Sequence, residues 1–182
     1  KLDDRLGLYE AAWIDDWFES KQQQREYHEN GRRILKEFYA KHEREGWPDV
    51  HATEQPFTVK FGTYSVLGKA DRIDQRPDGG VEIIDYKTGR PREKLEADDK
   101  MQLLIYQVAA SQALGLTPKV LSYYYLEDNT KVSFLGTSEE LEVLETTIAD
   151  IGQRIASGDF AATPGRHCQY CDFKNICPYA QA

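Results

Sequence analysis

The pattern of apolar positions predicts an α/β fold, with a central mixed sheet (an antiparallel meander plus further strands) flanked by helices. Three observations carry this reading. Apolar residues recur at helical spacing through the first 45 positions, three short runs between residues 53 and 87 alternate like strands, and two further strands lie between two later amphipathic helices.

The elements follow in order. In residues 3–45, Leu6, Tyr9, Trp13 and Trp17, then Ile34, Leu35, Phe38 and Tyr39, repeat with helical period, and Asn30-Gly31 marks either a break or a tolerated glycine. Gly46-Trp47-Pro48 ends this region. Phe57 to Phe61 alternates as a strand, Gly62-Thr63 is a tight turn, and Tyr64 to Asp74 is a second strand. The turn-forming run Arg76-Pro77-Asp78-Gly79-Gly80 leads into a third strand, Val81 to Lys87. Lys94 to Leu114 reads as a helix with Met101, Leu104, Ile105 and Val108 on its apolar face, closed by Gly115 and Pro118. Strands follow at Val120–Leu126 and Lys131–Leu135, around Asp128-Asn129. Thr137 and Glu140 form a capping box for a last helix, whose core stripe is Leu141, Leu144, Ile148, Ile151 and Ile155.

This organisation gives an N-terminal helical region (1–50), a core (51–157) and a loop-rich C-terminal region with the cysteines (158–182), all within one domain. The chain opens on Lys1 with a helical pattern already under way, so it reads as a piece of a longer protein. Of its 182 residues, 40% are hydrophobic and 30% charged, an ordinary globular balance. No apolar run is long enough to span a bilayer and no secretory signal opens the chain, so no membrane partner is expected. The net charge of −8 argues against a stand-alone, high-affinity DNA binder, because phosphate neutralisation drives such affinity. It is compatible with an enzyme whose carboxylates hold cations and whose DNA is delivered by a neighbouring module. Three cysteines crowded near the end make a poor disulfide framework and suit a reducing, cytoplasmic compartment.

The chemistry concentrates on the second and third strands. Strand alternation places Val81, Ile83, Asp85 and Lys87 on one face, and Leu67, Lys69, Asp71 and Ile73 on one face of the preceding strand. With a five-residue loop at Arg76–Gly80, Gln75 pairs with Val81 and Asp71 falls opposite Asp85, their Cβ atoms roughly 5 Å apart. Two carboxylates so close repel each other, and a divalent cation between them removes that cost. The backbone carbonyl of Tyr86 is the nearest further oxygen ligand. Lys87 sits about 7 Å further along the strand and could orient a cation-bound water or offset charge on a phosphate. The alternative is a pair of solvated strand ends with Lys87 in a surface ion pair.

Three ordered runs, Gly68-Lys69-Ala70-Asp71-Arg72-Ile73-Asp74, Glu82-Ile83-Ile84-Asp85-Tyr86-Lys87-Thr88-Gly89 and Gln102-Leu103-Leu104-Ile105-Tyr106, resemble the motifs of RecB-type nucleases in the PD-(D/E)XK superfamily. The resemblance runs from about Glu54 to the C-terminus and implies a restriction-endonuclease-like core. It implies Asp71 and Asp85 as ligands of Mg²⁺ or Mn²⁺, Lys87 as the catalytic lysine, and Gln102 and Tyr106 lining the site from one helical face. It implies an exonuclease acting on DNA, on single-stranded ends, attached to a helicase module in repair or recombination. The family also carries an N-terminal histidine a few residues after a glycine. Here His28 precedes Gly31, and His42 and His51 have no matching context, so His28 reads as a solvated helical residue.

Cys168, Cys171 and Cys177 have the C-x2-C-x5-C spacing of ligands for one tetrahedral centre or for three corners of a cluster. They also resemble the C-terminal triplet of the AddB-like branch, which holds a [4Fe–4S] cluster with an upstream fourth cysteine. Alternatively His167 or another group completes a Zn²⁺ site, or the thiols are unligated. Two other functional classes stay open beside the nuclease: a catalytically inactive nuclease-like DNA-binding or scaffolding module, and an iron–sulfur or zinc protein unrelated to DNA.

Overall fold

The computed structural model describes residues 1–91 and 95–180. Among these, the elements run α1 (Leu2–Ala12), α2 (Lys21–Glu45), β1 (Val50–Phe61), β2 (Tyr64–Gln75), β3 (Val81–Lys87), α3 (Ala97–Gln112), β4 (Pro118–Tyr125), β5 (Thr130–Phe134) and α4 (Ser138–Ser157), then a 3-10 turn at Arg166–Tyr170. The strands form one sheet in the order β1-β2-β3-β4-β5. The β3–β4 pair is parallel and the other neighbours are antiparallel. A parallel pair needs a long crossover, and α3 supplies it. The expected α/β class and mixed sheet are therefore observed. Strand β1 extends further toward the N-terminus than its alternation suggested, and its Pro56 is tolerated because β1 is an edge strand.

The helices divide between the two faces of the sheet. On one face, α3 packs Leu103, Leu104, Tyr106, Val108, Ala109 and Ala110 into a core with Ile73, Ile83, Leu121 and Tyr123. Full burial of such a side chain contributes roughly 1.5–3 kcal/mol. The opposite face carries Tyr86 and Tyr124, over which the α2 ring of Phe38 lies, 6.4 and 5.7 Å away between centroids. Asn30 and Arg33 tie α2 to Glu127, and Lys41 donates to the Asn129 carbonyl, in the β4–β5 turn. No helix of the described residues is long and apolar enough to cross a membrane.

Several local expectations change. The N-terminal helical stretch breaks at residues 13–20 rather than at Asn30-Gly31. Trp17 lies in that break with φ +73° and is 97% exposed, so it is no part of a helical stripe. Gly31 sits inside α2 because a Cβ there would collide with the Tyr9 ring of α1, whose hydroxyl donates to the His28 carbonyl at 3.1 Å. His28 is half-buried rather than fully solvated: it pairs with Glu10 at 2.8 Å and its ring meets Trp13 edge-on. The Lys94 start expected for α3 lies outside the described residues, and the helix itself begins at Ala97. The α4 capping box forms as expected between Thr137 and Glu140, at 3.0 and 3.2 Å. Its apolar stripe is covered only in part: Leu144 is buried and Leu141 and Ile148 pack on the core, whereas Ile151 and Ile155 are 37% and 59% exposed.

The strand that leads into the site departs from strict alternation. Leu67 is 76% exposed, and Val66 and Ala70 contribute to the core instead. Ala70 and Ile73 both belong to that core although three positions apart, which an even alternation forbids. Facing this stretch, Glu54 of β1 has φ +52°, between the Thr53↔Arg72 and Gln55↔Ala70 pairs. Lys69 stays outward, paired with Glu54.

Close packing next to this irregularity uses Gly68, where a Cβ would collide with the Phe57 ring. That ring is itself held edge-on against Tyr106, 5.5 Å between centroids. Gly68→Ala is expected to lower unfolding free energy by about 1–3 kcal/mol in urea titrations. Gly7→Ala, in an α1 position with open space around it, is expected to be neutral or to stabilise by up to about 1 kcal/mol.

Candidate active site

The turn between β2 and β3 sets the register of the site. The Arg76 N–H donates to the Gly80 carbonyl at 2.9 Å, and Gly79 supplies the required positive φ of +77°. Gln75 therefore pairs with Val81 and Arg72 with Ile84, where the paired ladder ends, and Asp71 is the next residue of β2. The Tyr86 N–H donates to Asp71 Oδ2 at 2.9 Å, so the Asp71 side chain is anchored across the strand gap at the level of Asp85 and Lys87.

Asp85 is 3% exposed. Burial raises its carboxyl above the ordinary range, Lys87 pulls it down, Asp71 pushes it up again, and burial prevails. Lys87 Nζ lies 2.6 Å from Asp85 Oδ2. That contact is a close ion pair, and Oδ2 is closed off from solvent with no well-aligned hydrogen bond. A carboxylate this buried, with a second carboxylate beside it, is costly, and among the described residues its oxygen is where a cation would gain most.

The first turns of α3 complete the constellation. Gln102 Nε2 donates to Asp85 Oδ1 at 2.7 Å and to the Tyr106 hydroxyl at 2.9 Å, while Gln102 Oε1 accepts from Lys87 Nζ at 2.9 Å. The amide is thereby committed on both its nitrogen and its oxygen, which fixes its orientation. The Tyr106 hydroxyl donates to the Lys69 carbonyl at 3.0 Å, and burial raises its phenol above the ordinary value. Positions 102 and 106 are one helical turn apart, so both reach the strands together. Lys87 also stands over the Tyr123 ring of β4, 4.9 Å from its centroid. A cleft of about 420 Å³ opens beside these groups, lined by Lys87, Thr88, Arg90, Gln102, Tyr123 and Tyr125.

The structure thus brings Asp71, Asp85, Lys87, Gln102 and Tyr106 together, with the Tyr86 backbone between the two strands. The Tyr86 ring points to the other face, where its hydroxyl accepts from Arg72 Nη1 at 2.8 Å. Arg72 also grips Asp74 through two hydrogen bonds, 2.6 and 2.5 Å, and both of these side chains are buried. Burial opposes the guanidinium charge, but Asp74 and Tyr86 outweigh it and hold Arg72 above its ordinary value. Sequence reasoning did not pick out Tyr123 or the Arg72–Asp74–Tyr86 network. Tyr123 depends on a parallel pairing that no local signal announces. Arg72 and Asp74 were visible as alternate residues of one strand face.

Neither the histidines nor the cysteines join this constellation. His42 is buried among Phe38 and Trp47, with Nδ1 donating to the Phe38 carbonyl at 2.8 Å. His28 is engaged with Glu10, so neither histidine is bonded to the carboxylate pair. The thiols of Cys168, Cys171 and Cys177 are free. Among the described residues no group of three or more His, Cys, Asp or Glu is arranged to hold a metal ion, His167 included. As placed, the cysteines do not fit a [4Fe–4S] cluster or Zn²⁺: the Gly165 N–H donates to the Cys168 sulfur at 3.4 Å, inside a short local turn. The carboxylate pair fits a cation better, because it leaves a buried oxygen unsatisfied.

Comparisons with known proteins agree with this fold. The family model described as the PD-(D/E)XK nuclease superfamily matches residues 1–178. The solved structure of SSO0001 superimposes with a TM-score of 0.54 at 18% identity, covering 100% of this chain and 95% of that one. A protein from Eubacterium rectale, named as a candidate exonuclease, gives 0.54 at 16% identity, covering 83% of this chain and 62% of that one. At such identities the likeness concerns the fold. None of the curated proteins matches the chain in sequence.

The buried network behind the site generates its own test. Asp74→Ala leaves the Arg72 charge without its main partner and is expected to cost about 3–5 kcal/mol. The double variant Arg72→Met with Asp74→Leu should recover most of that loss in thermal melts.

Proposed function

The chain belongs to the PD-(D/E)XK nuclease superfamily, and from that premise we propose that it is a Mg²⁺- or Mn²⁺-dependent deoxyribonuclease acting on DNA ends. The observation that carries the reading is the solvent-excluded Asp85 Oδ2, lacking a hydrogen-bond partner, at the level of a second carboxylate and beside a lysine. Asp71, Asp85 and the Tyr86 carbonyl would hold the ion. When bound, it would supply a more acidic water and positive charge at the scissile phosphate.

The chain's own residues have separate tasks in this reading. Lys87 places an ammonium at the cleft, where it stabilises negative charge developing on the phosphate. Gln102 holds that ammonium and the Asp85 carboxylate in one geometry through its two ends. Tyr106 fixes Gln102 and anchors the helix to the β2 backbone. The finer assignment is a RecB-like exonuclease that receives single-stranded ends from a helicase module in repair or recombination. The net charge of −8 supports delivery of DNA by a partner over autonomous tight binding. Iron–sulfur or zinc chemistry at the cysteines is no part of this reading.

A second reading has one observation in its favour: His28 and His42 are both engaged away from the carboxylate pair. It is an inactive, nuclease-like DNA-binding or scaffolding module. Titration calorimetry with Mn²⁺ separates the two, since a scaffold would neither bind the ion nor cleave.

Under the leading reading, Asp85→Ala and Lys87→Ala abolish cleavage of labelled single-stranded DNA while circular dichroism stays native. Activity at the wild-type level in either variant would refute the assigned roles. Gln102→Ala is expected to lose about 10–100-fold in activity, the usual loss when a group supporting a metal ligand is removed. Chelation by EDTA stops the reaction and added Mn²⁺ restores it.

A further inference from the structure

Lys87 has three neighbours of different kinds. Two are the polar groups Asp85 Oδ2 and Gln102 Oε1, at 2.6 and 2.9 Å. The third is the face of the Tyr123 ring, 4.9 Å from Nζ. The parallel β3–β4 register brings Tyr123 level with Asp85 and Tyr125 level with Lys87, so the ring lies one step back along the direction in which the lysine stem folds. Tyr123 is 3% exposed, and its hydroxyl donates to the Asp99 carbonyl at 2.5 Å, so the ring is pinned at both ends.

The three contacts are not equivalent once Asp85 serves a cation, as the function proposed above requires. An ammonium and a divalent ion compete for the same carboxylate oxygen, which weakens the Asp85 contact just when Lys87 is needed. Gln102 remains as a single neutral acceptor. The aromatic face attracts a cation through its quadrupole, takes no proton and carries no compensating negative charge. It can therefore hold Lys87 without cancelling the charge that the phosphate must meet. Resting on that reading of the site, we propose that Tyr123 is a positioning residue for Lys87, whose aromatic face keeps the ammonium at the cleft when Asp85 is committed to the cation.

The test keeps shape constant and varies only the ring's electrostatics. In the full 182-residue chain, Tyr123 is replaced by Phe and then by mono-, di- and trifluorinated phenylalanines. Tyr123→Phe loses only the bond to Asp99 and should keep kcat within about threefold. Progressive fluorination drains the ring face, and kcat on single-stranded DNA should fall in step, by about 3- to 30-fold in total, with KM little changed. A second readout needs neither metal nor activity. In the metal-free protein, the ε-methylene protons of Lys87 should resonate upfield of the other lysines, through the ring current of Tyr123, in both wild type and Tyr123→Phe. A kcat that stays flat across the fluorinated series, or one that changes only through KM, overturns the proposal, as does a Lys87 resonance with no upfield displacement in the wild type. If the wild-type chain cleaves no DNA at all, the nuclease reading fails, and the proton shift still decides whether Tyr123 holds Lys87.

Discussion

The structure of this site follows from the decision to bury one carboxylate. Asp85 sits on the central part of the sheet with almost no exposure, where ionisation is opposed by loss of water. An isolated charge there would not be tolerated. Its surroundings are built around that fact: a lysine two residues on, an amide from the crossover helix, and a second carboxylate at the same level on the neighbouring strand. The compensation is incomplete, because one Asp85 oxygen keeps no hydrogen bond. Incomplete compensation of this kind is what a cation-binding site needs. A fully satisfied carboxylate would have nothing to gain from an ion.

Rigidity around the carboxylate comes from both faces of the sheet. On the α3 side, Gln102 and Tyr106 form a chain of hydrogen bonds from Lys87 to the Lys69 backbone, so the helix cannot rotate without breaking several contacts at once. On the α2 side, Tyr86 is held by Arg72, and Arg72 by Asp74. Tyr86 lies between Asp85 and Lys87 in sequence, and its N–H holds Asp71. The buried ion pair therefore fixes the backbone from which both functional side chains of β3 project. This gives a structural purpose to a charged network that an apolar trio of similar volume could match in stability.

Charge is distributed differently at two scales in this molecule. Over the whole chain the balance is acidic, which disfavours contact with a polyanion. Within the cleft the charges balance, Lys87 and Arg90 lining it together with Asp98 and Asp99. A phosphate there would meet Lys87 and Arg90 locally, while the domain as a whole has little attraction for a polyanion.

Much of the molecule was legible along the chain. The turn from Arg76 to Gly80 has a definite length, and length alone fixes the antiparallel register from Gln75↔Val81 to Arg72↔Ile84 that brings Asp71 to the level of Asp85. Gln102 and Tyr106 share a helical face by their spacing, and Thr137 with Glu140 announces the start of α4. These are local signals, carried by turn geometry and by period. Tertiary structure decided the rest, through contacts between residues far apart in sequence. Strand β2 brings both Ala70 and Ile73 into the core against strict alternation, and the Tyr9 ring decides between the two readings of Gly31, making it a packing site inside α2. The parallel pairing of β3 with β4 put an aromatic ring beneath Lys87. The cysteine triplet has a ligand's spacing but no converged geometry, since spacing limits which groups can meet and only the fold brings them together.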